Sequence, residues 1–202
     1  MTTETVPASD ELAMPELTRG AWKIVDAAMS LFYRHGIHAV GVGAIAAEAG
    51  VTKRTLYDRF GSKDQLIRVC VQARHQAWWG RLEQRLTQAQ YPRVLAVFDA
   101  YVNDPLPTDR GCGFLNAAAE LSTDHPAFPV IRAHKHAVRR RIEDLIRTDH
   151  PALPSHEAAA DQVFLLLEGA IAHRGIDSDD QYVTKARRMA AELVRISSEV
   201  RQ

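Results

Sequence analysis

Cysteine is scarce: Cys70 and Cys112 are the only two in 202 residues. Two such residues make no disulfide framework, and they form no C-x-x-C pair for redox or zinc chemistry. No uninterrupted apolar run approaches the ~20 residues that a membrane-spanning helix requires, so no membrane partner is expected. Charge of one sign is also missing, with 25 Lys and Arg against 25 Asp and Glu, which excludes a uniformly basic nucleic-acid coat. The phosphate-loop pattern G-x-x-x-x-G-K-[ST] and the nucleophile elbow G-x-S-x-G are absent. The nine histidines include no pair four residues apart with a carboxylate between, and His134 and His136, two apart on a helix, point to different sides. No metal, cofactor or catalytic set emerges, and the chain reads as a non-enzyme. Its N-terminus carries acids where a signal peptide carries bases, so a cytoplasmic protein with reduced thiols is expected.

What is present is a core and a locally basic segment. Hydrophobic residues make up 46% of the chain, enough for one or two compact domains. Residues 18–68 hold eight bases against four acids, whereas the first 17 residues hold Glu4, Asp10, Glu11 and Glu16 and no base. Those first residues show no apolar period, and a disordered arm is expected over 1–17. A basic module ahead of a neutral remainder is sufficient for phosphate contact.

Within that module the periodicity is helical. Trp22, Val25, Met29 and Phe32 define a first helix ending at Gly36. Val42, Ile45, Ala46 and Ala49 share one face of a second, which stops at Gly50. Thr52 then offers a hydroxyl cap to a third helix that buries Leu56 and Phe60 and leaves Lys53, Arg54, Thr55 and Tyr57 outside. Ser62 and Gln65 form an S-x-x-Q capping box that opens a long helix. Lysine and arginine there suit guanine O6 and N7, and Thr55 suits a phosphate or a thymine methyl.

The combination of Ala27-Ala28, Leu31-Phe32, Gly36, Ile45-Ala46, Ala49-Gly50-Val51, Thr55-Leu56-Tyr57, Phe60 and Ser62-Lys63-x-x-Leu66 resembles the DNA-binding domain of the TetR/AcrR transcriptional regulators. The resemblance implies an all-α fold with a helix-turn-helix domain over 18–66 and a helical ligand-binding and dimerisation domain over 67–202. It implies DNA contact from Thr52, Lys53, Arg54, Thr55, Tyr57 and Lys63, the last two on phosphates. The chain departs from the family at Val42 and Gly43, where a hydroxyl or charged side chain is usual. The segment 111–121, GCGFLNAAAEL, resembles more loosely the ligand-binding domain of one branch.

Beyond Pro92 the chain remains helical in pattern, with no strand-like alternation. Aromatic surface for a small-molecule effector is expected from Trp78, Phe98, Tyr101, Phe114 and Phe164, with Asn116, Glu120 and His173 as polar anchors. Glu120 and Glu168 interrupt apolar stretches and require partners if buried. The final two helices carry regular stripes, Val163, Leu167, Ala170 and Ile171 on one and Met189, Leu193 and Ile196 on the other. By the resemblance they pair with their copies in a four-helix homodimer. The expected function is a homodimeric regulator, a repressor released from a palindromic operator by a ligand. The contrasting reading is a helical ligand-binding protein or small enzyme with a vestigial DNA-binding module.

Overall fold

A computed structural model describes residues 8–102 and 110–199. The described residues form α-helices and no strand: α1 (Ala8–Leu12), α2 (Arg19–His35), α3 (Val42–Glu48), α4 (Lys53–Phe60), α5 (Lys63–Leu86), α6 (Ala96–Val102), α7 (Gly113–Glu120), α8 (Phe128–Asp149), α9 (His156–Asp177) and α10 (Gln181–Glu199). A 3₁₀ turn, Arg93–Leu95, leads into α6. The chain packs as two compact units, Met1–Ala77 with Gly113–His134, and Trp78–Cys112 with Lys135–Gln202.

The first unit closes around Ile24, Val25, Ala28, Ile45, Leu56 and Leu66, all buried. Helix α2 starts at Thr18, whose Oγ1 accepts from the Ala21 N–H at 3.3 Å, and it buries two adjoining faces, including Phe32 and Tyr33. Trp22, expected on that buried stripe, is instead partly exposed. Helix α2 ends at Gly36, whose φ of +87° is a conformation side chains rarely adopt. A Cβ there would also press to 3.1 Å from the Glu120 carboxylate.

The expectation of a disordered arm over 1–17 is corrected where the chain is described. Residues Ala8–Leu12 are helical, and the Gln72 amide donates to the carbonyls of Glu11 and Ala13 at 2.9 and 2.8 Å while Arg68 pairs with Glu11 at 3.0 Å. An apolar period was not needed, because side chains of α5 satisfy the arm's backbone. Residues 1–7 lie outside the described residues.

In the second unit α9 and α10 pack along each other. Here too an expectation is corrected. Val163, Leu167, Ala170 and Ile171 are buried within the single chain and present no surface to a second copy. The outward face of α9 carries Leu165, Gly169, Ala172 and Ile176, all exposed, with Leu165 and Ile176 at 69% and 74%. On α10, Val183, Ala186, Ala190 and Val194 face inward, whereas Tyr182 and Met189 are exposed and Leu193 is half-buried. The Ile196 side chain lies outside the described residues. Close approach is set at Gly175, where a Cβ would meet the Arg110 carbonyl oxygen at 2.8 Å. The half-buried Glu168 has the partner it requires, the Lys135 ammonium at 2.6 Å.

Candidate nucleic-acid interface

The turn between α3 and α4 is fixed by local chemistry. Ala49 closes α3, Gly50 takes φ +66°, the Gly50 N–H donates to Ala47 O at 3.2 Å and the Val51 N–H to Ala46 O at 2.9 Å. This is a Schellman motif, which satisfies the last carbonyls of the helix and reverses the chain within two residues. Thr52 then caps α4: its Oγ1 accepts from the Thr55 N–H at 3.1 Å and lies 2.9 Å from the Thr55 hydroxyl.

Capping at one end and burial of Leu56 and Phe60 along one side fix the rotation of α4. Thr52, Lys53, Arg54 and Tyr57 are left exposed and Thr55 half-exposed, so five of the six expected contact residues lie together on one short helix and its cap. Arg54 reaches Asp58 only at 3.9 Å, with both side chains largely in solvent, a pairing too loose to hold the guanidinium. The stem of Lys53 crosses Gly43, where a Cβ would stand 3.0 Å from Lys53 Cε. The departure at position 43 thus gives the lysine its path across the start of α3, a relation between two separated residues that periodicity does not reveal.

Lys63 is placed differently. It is half-buried, its Nζ donates to the Ile37 carbonyl at 2.7 Å and sits 5.8 Å from the centre of the Phe32 ring. It therefore braces the connector between α2 and α3, leaving its remaining N–H groups as the potential phosphate donors. At the head of α5, Ser62 Oγ accepts from the Gln65 N–H at 3.1 Å, but the Ser62 N–H donates to Phe60 O. Of the expected capping box, the forward half forms.

Glu120, expected as a ligand anchor, also holds this connector. Its carboxylate accepts from the His38 N–H at 2.9 Å. Burial pushes its pKa up, but the N–H groups of His38 and Ile37 and the His38 ring outweigh burial and hold it below the usual carboxylate range. Sequence reasoning saw that Glu120 needs a partner; it could not see that a connector 82 residues away supplies it.

The expected effector residues do not converge on one cavity. Trp78, Phe98 and Tyr101 are buried in the second unit, Trp78 and Tyr101 with ring centres 4.8 Å apart, as core packing. Phe164 is half-buried there, and His173 is exposed, 3.2 Å from Asp177 and beside the Tyr182 ring. Phe114 belongs to the first unit and stacks on buried His134, whose Nδ1 lies 2.9 Å from that of His75. Asn116 and Glu120 line a small cavity of the same unit. Among the described residues no three His, Cys, Asp or Glu side chains lie together as metal ligands, and no helix is long and apolar enough to cross a membrane.

A capped recognition helix set on a preceding helix by a tight turn defines a helix-turn-helix DNA-binding protein. Residues 24–70 match the family model described as bacterial regulatory proteins, tetR family. A solved TetR-family transcriptional regulator from Streptomyces coelicolor, SCO4454, is 28% identical, superposes with a TM-score of 0.80, and the match covers 89% of this chain and 96% of that one. A putative TetR regulator from Streptomyces avermitilis is 26% identical with a TM-score of 0.66, covering 86% of this chain and 99% of that one. The HTH-type transcriptional repressor ComR of Escherichia coli K12 is 25% identical over 147 residues, 66% of this chain and 69% of ComR. The chain thus carries a TetR-family DNA-binding domain over residues 24–70 and is similar along most of its length to TetR-family transcriptional regulators.

Proposed function

We propose that the chain acts in the cytoplasm as a homodimeric repressor that occupies a palindromic operator and is released by a small-molecule effector. The division of labour follows the expected domains, with DNA contact from 18–66 and dimerisation and effector response from 67–202. The carrying observation is the exposed cluster of Lys53, Arg54 and Tyr57 on a helix whose orientation is fixed by Thr52, Leu56 and Phe60. One such helix covers too few base pairs for strong operator choice, so a second copy about 34 Å along the duplex is required. The exposed apolar stripe of Leu165, Gly169, Ala172 and Ile176 on α9, with Met189 also exposed on α10, supports a second copy. The likeness to ComR, named a repressor, supports repression.

The test is selection of bound sequences from a random duplex library by the wild type, Tyr57→Ala and Lys63→Ala. A palindrome with half-sites one helical turn apart, bound less well by both variants, is the expected result. Retention of nothing above background at low salt, or of an isolated half-site, would sink the proposal.

A further inference from the structure

A single peptide group in the connector between α2 and α3 is held at both of its ends. The trans peptide joining Ile37 to His38 offers its carbonyl oxygen to the Lys63 ammonium at 2.7 Å and its N–H to the Glu120 carboxylate at 2.9 Å. Carbonyl and N–H of a trans peptide point in opposite directions, so cation, peptide and anion lie in series along the peptide dipole. Both bonds are charge-assisted, and each strengthens the other by polarising the group they share. Burial would raise the Glu120 pKa, but the His38 and Ile37 N–H groups outweigh it, so the carboxylate is ionised. The His38 ring, largely in solvent, stands 3.5 Å away. Room for the carboxylate exists because residue 36 is glycine: a Cβ there would lie 3.1 Å from it. The Ile37 side chain is buried, which ties this peptide to the core as well.

The two charges reach this peptide from different parts of the chain. Lys63 opens α5, whereas Glu120 closes α7, outside the segment 18–66, and both belong to the same compact unit. We infer that Glu120 is a positioning residue for operator binding: through the Ile37–His38 peptide it fixes the place from which the Lys63 ammonium meets a phosphate. This rests on the phosphate contact of Lys63 in the proposed function. Without the carboxylate the peptide oxygen is a weaker acceptor, and the lysine stem recovers the rotamer freedom that its bond removes. Simple electrostatics predicts the opposite effect. Deleting an acid makes the protein more positive and leaves DNA affinity equal or tighter, whereas loss of positioning weakens it.

Affinity for the selected operator, measured per active molecule across a salt series, tests the assignment in the wild type, Glu120→Ala, Glu120→Gln, Lys63→Ala and Glu120→Ala/Lys63→Ala. Glu120→Ala should weaken binding about three- to tenfold, the net worth of one hydrogen bond, and lower the salt slope toward that of Lys63→Ala. Glu120→Gln removes the same charge but keeps a carbonyl acceptor, so it should lose less. In the Lys63→Ala background Glu120→Ala should add almost nothing, because the two residues act through one contact. Without DNA, the His38 amide should exchange its hydrogen faster in Glu120→Ala than in the wild type. A role confined to stability would lower the folded fraction and leave affinity per active molecule and salt slope unchanged. Equal or tighter binding by Glu120→Ala, an intact slope, full additivity with Lys63→Ala, or unchanged His38 exchange would overturn the inference. If Glu120→Ala does not fold, Glu120→Gln carries the same comparisons. A wild type that retains no operator is a different outcome, the failure of the proposed function itself.

Discussion

Single side chains hold the reading head, and each has a measurable share. Thr52 supplies the side-chain cap of α4, so Thr52→Ala should cost about 1 kcal/mol in urea unfolding, the usual value for an N-cap. A loss within error would mean that Leu56 and Phe60 alone fix α4. Acid should act through buried histidines. Burial lowers the His75 pKa, and burial lowers that of His150 too, with Asp149 opposing and His156 adding. Below about pH 6.5 the unfolded chain takes up protons that these folded imidazoles refuse, so stability declines as pH falls through the depressed values. Glu120 adds a second, more acidic stage: its lowered pKa contributes stability that is complete above its unfolded value and lost as the carboxylate protonates. Urea midpoints should therefore drop between pH 7.5 and 5.5, less steeply in the double variant His75→Gln/His150→Gln. An unchanged slope in that variant would remove both histidines from the account.

Elements differ in how much of them the sequence discloses. The α3–α4 turn was legible to the residue, because Gly50, Thr52, Leu56 and Phe60 act on neighbours within a few positions. On α9 the same reading failed in direction. That helix is apolar on both sides, with Val163, Leu167 and Ile171 inside and Leu165, Ala172 and Ile176 outside, and periodicity cannot say which stripe meets its own chain. The cavity was illegible for another reason: Met29, Ile67 and Ala117 come together only through packing between helices distant in sequence. Under the proposed homodimer, the buried and exposed stripes of α9 separate two substitutions of the same chemistry. Leu165→Asp should leave the melting transition of a dilute sample nearly unchanged while converting a dimer to monomer in sedimentation. Val163→Asp should place an unpaired carboxylate in the core and prevent folding, a cost of several kcal/mol. A folded Val163→Asp monomer, or a Leu165→Asp dimer, would reverse the assignment of the two stripes.

At the scale of the whole molecule the neutral net charge makes DNA affinity a matter of placement. Phosphate contacts release counterions, so the logarithm of affinity falls with the logarithm of salt in proportion to their number. Base contacts instead discriminate between sequences. Under the proposed function Lys63, braced on the Ile37 carbonyl beside the connector, meets a phosphate, and Arg54, exposed on α4, meets a base edge. Lys63→Ala should thus lower the salt slope by about one per protomer, about two for a dimer, and weaken matched and mismatched operators alike. Arg54→Ala should cost about 1–3 kcal/mol on the selected operator and much less on a sequence altered at the base it reads. Affinities measured across a salt series on both duplexes decide it. If Lys63→Ala changed sequence preference while leaving the slope intact, the lysine would be reading bases, and the bond to Ile37 would have to open when DNA binds.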